Sequence, residues 1–299
     1  MALIRVIVPA TTANLGPGFD VLGLAINLYN EFWFEELESG LKIEILDGGN
    51  DKLPLGEENL AFISAKRLFD KVNYRYKGLR ITIKNDIPTG CGLGSSSTAI
   101  IGGLLAANKI ASANLSKNEL FQLAAEIEGH PDNVGPAMFG GFTICYSAGP
   151  SYRAVSYKPA SNLKPVLLIP DTGLETRKAR SVLPRDVPIN NAVFNIGRSS
   201  LLVSALLLGD AGLLSEAMKD RLHQPYRASL IPGLMEMIQR IEEATGAGVA
   251  LSGAGPSLLC IIDKSSEKVF LNEIKDILSS LGANYRVQPV DFDLEGARI

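Results

Sequence analysis

Cysteine and histidine are scarce in this 299-residue chain: three Cys, at positions 91, 145 and 260, and two His. No C-x-x-C pair exists, which excludes a structural zinc site, and three scattered thiols do not make a disulfide framework. Basic residues are not in surplus: Lys plus Arg is 29 against Asp plus Glu 32, a net charge of −3. A general nucleic-acid binder needs cationic excess to displace counterions, so no nucleic-acid partner is expected. Clean hydrophobic runs are missing too. Arg5 interrupts the opening apolar stretch, against a secretory signal. The uncharged stretches 87–108 and 244–262 carry too much Gly, Ser and Pro to read as membrane spans. The expectation is a cytoplasmic chain with no membrane partner. What is present is 46% hydrophobic and 20% charged residues, enough apolar material for a sizeable core.

Periodicity supplies the elements. Residues 4–8 are β-branched and stop at Pro9, which reads as a strand. Residues 22–28 and 31–36 read as extended segments running into each other. Ile43 and Ile45 mark a short strand, and Leu79, Ile81 and Ile83 alternate as another. Leu60, Ile63, Leu68 and Phe69 share one face of a helix over 58–72. A Gly/Ser-rich loop then leads into an apolar helix over 96–111. Ser116 with Glu119 three residues on forms a capping box opening a helix to residue 127. Residues 142–146 and 155–157 read as paired strands. Pro159 and Pro165 edge the expected boundary, giving halves of 1–158 and 159–299. The second half reads as strands at 165–169, 249–252, 257–262 and 285–289, with helices at 175–183, 189–208, 213–218, 232–244 and 266–281. Stripped of its extra helices this is β-α-β-β-α-β, a ferredoxin-like pattern in an α+β chain.

The most informative stretch is Pro88-Thr89-Gly90-Cys91-Gly92-Leu93-Gly94-Ser95-Ser96-Ser97-Thr98, between a strand and a helix. Alternating glycines let a ligand approach the backbone, and successive N–H groups can converge on an anion at a helix N-terminus. The serine hydroxyls can serve phosphate oxygens or Mg²⁺. The loop is not a Walker A loop, because Gly-Lys-Ser/Thr occurs nowhere, nor a dinucleotide fingerprint, because a third glycine is missing at 97. Two other segments have the same small, polar character. Residues 9–20 (PATTANLGPGFD) follow the first strand, and residues 251–257 (LSGAGPS) join two apolar strands. Alone, the first would be an ordinary turn and the second a tight hairpin.

Taken together, in this order and spacing, the three segments resemble the GHMP kinases across essentially the whole chain. The resemblance implies a GHMP kinase fold, with an N-terminal domain like ribosomal protein S5 domain 2 and a ferredoxin-like C-terminal domain, and ATP and substrate between them. Within that family, residues 11–16 and 18–20, which lack the lysine many members place there, are similar to the homoserine kinase branch. So is Glu128-Gly129-His130-Pro131-Asp132-Asn133-Val134-Gly135-Pro136-Ala137. That branch phosphorylates the side-chain hydroxyl of L-homoserine, on the way to threonine. Another small hydroxyl metabolite, or a catalytically silent binding protein, are the rival expectations.

The resemblance implies a site as well. ATP is expected on residues 88–98 (Pro88, Thr89, Gly90, Cys91, Gly92, Leu93, Gly94, Ser95, Ser96, Ser97, Thr98), with Asn59 near the adenine. Substrate is expected on Asn14, Asp20, His130, Thr176, Arg180 and Arg227. Asp20 suits the ammonium group and the planar arginines suit the carboxylate. Asn133, Arg180 and Asp20 form the expected catalytic set. Asn133 stands where mevalonate kinase has an aspartate base. An amide is no useful base, so direct in-line transfer is expected, with Asp20 as the rival base. Mg²⁺ is expected on Ser96 and a glutamate, with Glu126 preferred over Glu128. The resemblance further implies a homodimer.

Overall fold

The computed structural model describes residues 3–46 and 53–299. In chain order the first half comprises strands β1 (Ile4–Ala13), β2 (Leu22–Leu37) and β3 (Gly40–Leu46), then helix α1 (Leu60–Lys71) and strand β4 (Gly78–Asn85). Helices α2 (Ser95–Ile110), α3 (Lys117–Glu128) and α4 (Pro131–Phe139) follow, and strands β5 (Phe142–Ala148) and β6 (Ser151–Tyr157) close this half. The second half runs β7 (Leu163–Pro170), α5 (Thr176–Ser181), α6 (Ile189–Leu208), α7 (Leu214–Ala217), α8 (Gln224–Arg227) and α9 (Leu234–Thr245). It ends β8 (Gly248–Leu251), β9 (Leu258–Asp263), α10 (Glu267–Ser280) and β10 (Tyr285–Pro289).

The first sheet runs β3-β4-β2-β5-β6, with β1 paired to β2. The two extended segments at 22–36 form one long strand, β2, which serves β1, β4 and β5 along its length. The expected stop at Pro9 does not occur. β1 continues to Ala13, its register shifting between Pro9 and Ala10. Proline is tolerated there because the ladder with β2 is irregular at that point. Helices α1 to α4 cover one face. Their core joins Phe32, Phe34 and Ile81 of the sheet to Phe69, Ile101, Leu104 and Phe121. α2 is apolar nearly all round and lies in the middle of this core. Its Gly103 lets α1 come close, since a Cβ there would sit 2.2 Å from the Ala61 carbonyl oxygen.

The second sheet has the order β10-β7-β9-β8, with every neighbouring pair antiparallel. This is the ferredoxin-like arrangement expected from the sequence. Alternation sends its residues to two cores. Val166, Leu168, Cys260 and Ile262 pack against α9 and α10. Leu163, Leu167, Leu259 and Ile261 instead share a core with Leu15, Leu22, Leu24, Leu93 and Phe142 of the first half. The halves are therefore joined by a common apolar layer beneath the loops that carry the three motifs. The last residues cross back to the first half, where Arg298 bridges to Ile7 and Phe292 to Ile26.

α4 was not expected as a helix. Pro131 at its first turn favours it, while Pro136 in its interior argues against it. α6 is long and apolar enough to cross a membrane by composition, although little of it is buried. It leaves Ile189, Val193 and Ile196 exposed along one stripe.

Candidate active site

A cleft of about 320 Å³ opens where the three motifs converge. One end is built from main chain. Gly90, Gly92 and Gly94 all have positive φ, near +70°. A Cβ on Gly92 would lie 2.1 Å from the Ser252 carbonyl oxygen, and one on Gly94 would lie 2.0 Å from Thr11 Oγ1. The loop thus depends on glycine both for its turns and for its closeness to the other two motifs. Hydrogen bonds complete the joint: Thr11 N–H donates to the Leu93 carbonyl at 3.1 Å, and Ser252 Oγ donates to the Gly92 carbonyl at 2.7 Å.

The loop delivers the chain into α2 at Gly94, and no side chain caps that helix. The Thr98 amide is bonded back to the Gly94 carbonyl. The amides of the preceding turn have no partner within the helix and add to the positive end of its dipole. Such an end of a 16-residue helix, preceded by glycine turns, is an anion cradle. Glu128, at the end of α3, reaches it. Its Oε1 accepts from Ser96 Oγ at 2.7 Å and Ser97 Oγ at 3.1 Å.

The other end is built from charged side chains. Arg180 grips Asp20 with two bonds, NH1 to Oδ2 at 3.1 Å and NH2 to Oδ1 at 2.6 Å. Asp20 is held in turn by its own amide, which donates to Asn14 Oδ1 at 3.0 Å. Arg227 is almost wholly buried. Burial and the nearby Arg180 push its pKa down to about 10, so it still carries its charge at neutral pH. Both guanidinium groups lie over the ring of Phe19, at 5.6 and 5.5 Å from its centroid. His130 meets the buried Asp132 through Nδ1, at 2.7 Å. Burial alone would lower the His130 pKa, but the Asp132 bond and charge outweigh it and hold the pKa above its ordinary value. Asn133 Oδ1 accepts from Thr11 Oγ1 at 2.9 Å, between the two ends.

Most of the residues expected from sequence line this one cleft: Asn14, Asn59, His130, Asn133, Thr176, Arg180, Arg227 and the loop residues from Pro88 to Ser96 except Cys91. Asp20 stands just behind Arg180. Cys91 instead belongs to the shared apolar core, and Thr98 is buried against Asn30, accepting from its Nδ2 at 2.8 Å. Ser97 meets Glu128 but does not line the cleft. Of the two candidate glutamates, the preferred Glu126 is exposed and accepts from Gln122 Nε2, whereas Glu128 lines the cleft beside Ser96. Two positions apart on a helix is a turn of about 200°, so only one of the pair can face the loop. Sequence reasoning missed Asp132, whose role depends on burial. It also missed Asn30 and Asn85, whose side chains bond to each other at 2.7 Å in the cleft wall. His223, which bonds to Arg227 at 3.1 Å, was missed as well. Its spacing of four from Arg227 was the available signal.

Comparison with known proteins agrees with this construction. Residues 59–141 match the model of the GHMP kinases N terminal domain, and residues 202–283 match that of GHMP kinases C terminal. The chain is 44% identical over 294 residues to a homoserine kinase of Clostridium botulinum, covering 98% of this chain and 97% of that one. It is 42% identical over 300 residues to a homoserine kinase of Clostridium beijerinckii, covering 99% and 98%. The crystal structure of homoserine kinase from Cytophaga hutchinsonii superposes with a TM-score of 0.88 at 29% identity, over 100% of this chain and 97% of that one. On this ground the chain belongs to the homoserine kinase family of the GHMP kinases.

Proposed function

We propose that the chain transfers the γ-phosphoryl group of ATP to the side-chain hydroxyl of L-homoserine, giving O-phospho-L-homoserine. The observation that carries this reading is the shared cleft, in which an uncapped helix start behind a glycine loop faces a set of both charges gathered around the buried Arg227. The α2 amides suit a polyphosphate. Arg227 suits a carboxylate, Asp20 an ammonium, and His130 and Asn14 the remaining polar groups. A sugar or a mevalonate-like acid would leave part of that set unpaired, at substantial cost.

Glu128 with the Ser96 and Ser97 hydroxyls offers hard oxygen donors beside the cradle, which suits Mg²⁺. That ion takes one or two protein oxygens and shares the rest with phosphate and water. Among the described residues no group of three or more His, Cys, Asp or Glu is placed to hold a metal ion. When bound there, the ion would supply neutralisation of phosphate charge. Phosphoryl transfer is governed by positioning and charge more than by a strong base. Asn133, held by Thr11, orients the reacting groups without taking a proton. Asp20, with both oxygens engaged by Arg180, suits charge pairing better than proton abstraction. The exposed stripe on α6 suits the contact of a homodimer, and the cytoplasm suits both ATP and the three buried free thiols.

The test is ADP release with Mg²⁺ across L-homoserine, mevalonate, shikimate and galactose. L-homoserine alone should support turnover. Equal or greater turnover with another of the four, or ATP hydrolysis indifferent to all, overturns the reading.

A further inference from the structure

His223 is fully buried at the N-cap of the short α8 and lies outside every motif that the family resemblance supplied. Its two ring nitrogens have different partners. Nε2 stands 2.8 Å from the Gly16 carbonyl oxygen, and Nδ1 stands 3.1 Å from Arg227 NH1. A carbonyl only accepts and a guanidinium only donates. One protonation state satisfies both bonds: the neutral imidazole with its proton on Nε2. An imidazolium would lose the Arg227 bond and set a second cation against the guanidinium.

The surroundings fix the ring from every side. Phe19 stacks on it at 5.3 Å between centroids. Asp220, itself buried, accepts from the backbone amides of Leu222, His223 and Gln224, and so ties down the turn that carries the ring. Its Oδ2 is 3.6 Å from Nε2. Gly16 is also closely packed. It has a φ of +83°, and a Cβ there would stand 2.0 Å from the Met218 carbonyl oxygen. Arg227 NH1 further donates to the Gly253 carbonyl at 2.9 Å, which also accepts from Asn14 Nδ2 at 2.8 Å. Gly16, His223, Arg227, Gly253 and Asn14 therefore form a hydrogen-bonded circuit through the N-terminal motif, α8 and the C-terminal motif. Arg227 is the member that lines the cleft as a cation.

We propose that His223 is a positioning residue for the amino-acid site: as the neutral Nε2–H tautomer it carries the placement of the Gly16 loop to Arg227 and fixes where that guanidinium meets the substrate carboxylate. This rests on the reading that Arg227 binds that carboxylate. Burial and the charge of Arg227 lower the His223 pKa against the opposing pull of Asp220 and Asp20, in keeping with a ring that stays neutral.

Three variants separate the possibilities: His223→Leu, His223→Asn and Arg227→Gln, each assayed for the KM of L-homoserine, the KM of ATP and kcat. His223→Leu should raise the L-homoserine KM about tenfold or more, the scale of a hydrogen bond to a charged group, with the ATP KM within about twofold. His223→Asn places an acceptor where Nδ1 stood and should recover most of the loss. Equal movement of both KM values, or His223→Asn as poor as His223→Leu, gives a merely structural role and overturns the proposal. If Arg227→Gln leaves the L-homoserine KM unchanged, the reading of the site fails; if Arg227→Gln raises it and His223→Leu does not, only the proposal fails. Should His223→Leu not fold, the wild-type protein still decides. With two histidines in the chain, ¹⁵N spectra contain two imidazoles, and His130→Gln assigns them. His223 should show an unprotonated Nδ1 that does not titrate between about pH 6 and 8, whereas a proton on Nδ1, or titration in that interval, overturns the assignment.

Discussion

At one end of the cleft the 88–96 loop offers backbone amides and hydroxyls from a single contiguous stretch. At the other, Asp20, His130, Arg180 and Arg227 arrive from four segments spread across both halves of the chain. The first end is made by conformation, with glycines at positive φ and a helix start left uncapped. The second is made by charge, with buried and half-buried groups that hold one another in pairs. A conformational site should fail abruptly, because a Cβ either fits or does not. A charged site should fail in graded steps, because weakened pairs are partly replaced by water.

The sharpest way to break this contrast is Gly92→Ala. The added Cβ would meet backbone, the Ser252 and Gly255 carbonyls, at a position whose φ already disfavours any side chain. Neither neighbour can rotate away, so the loop must move. A displacement near 1 Å at a reacting centre costs about a hundredfold, so kcat/KM for ATP should fall by at least that much. Calorimetric binding of L-homoserine without nucleotide should change little. Loss of both affinities together would mean that the two ends are one rigid unit.

A smaller effect sharpens the assignment within the conformational end. Glu128→Gln removes the charge beside Ser96 and should weaken the apparent affinity for Mg²⁺ in the ADP-release assay by about tenfold or more. Glu126→Gln should stay within about twofold, since that side chain faces solvent and Gln122. Reversal of the two would restore the preference drawn from sequence and displace Glu128 from the site.

These two ends also differ in how much of them could be read in advance. The loop was legible because its chemistry is local: three alternating glycines and three serines between a strand and a helix define the cradle without any knowledge of the fold. The ferredoxin-like half was legible for a similar reason, since its central strands are short continuous apolar runs, buried on both faces, set between helical stretches. Glu128 was not singled out, because choosing between positions two apart requires the rotation of α3, which packing sets. Asp132 and His223 went unread because burial gives them their roles, and α4 was hidden by Pro136 in its interior. Thr98 and Cys91 stand in the loop sequence beside the cleft-lining residues, but the Cys91 side chain packs in the shared core and Thr98, within α2, is buried against Asn30.

The smallest effect concerns pH, and it should belong to the charged end alone. His130 and Asp132 are joined at 2.7 Å, and the Asp132 bond and charge more than offset burial, holding the imidazolium above the ordinary histidine range. A pKa raised on folding means that proton binding favours the folded state. The stabilisation is complete below the unfolded value of about 6.5 and is lost as pH rises through the higher folded value. Wild type should therefore have its greatest advantage in Tm over His130→Gln near pH 6, and the advantage should narrow towards about pH 9. The difference should be no more than a few degrees, the scale of about 1 kcal/mol in a chain of this size. Subtracting one curve from the other cancels unrelated titrations, such as that of Glu242, whose carboxyl burial lifts to about 7. The same subtraction for a folded Gly92→Ala protein should be flat over the interval, because a Cβ at that turn carries no proton. An advantage for His130 that held constant or grew with pH would mean that Asp132 does not stabilise a charged ring, and the two ends of the cleft would then lose their electrostatic distinction.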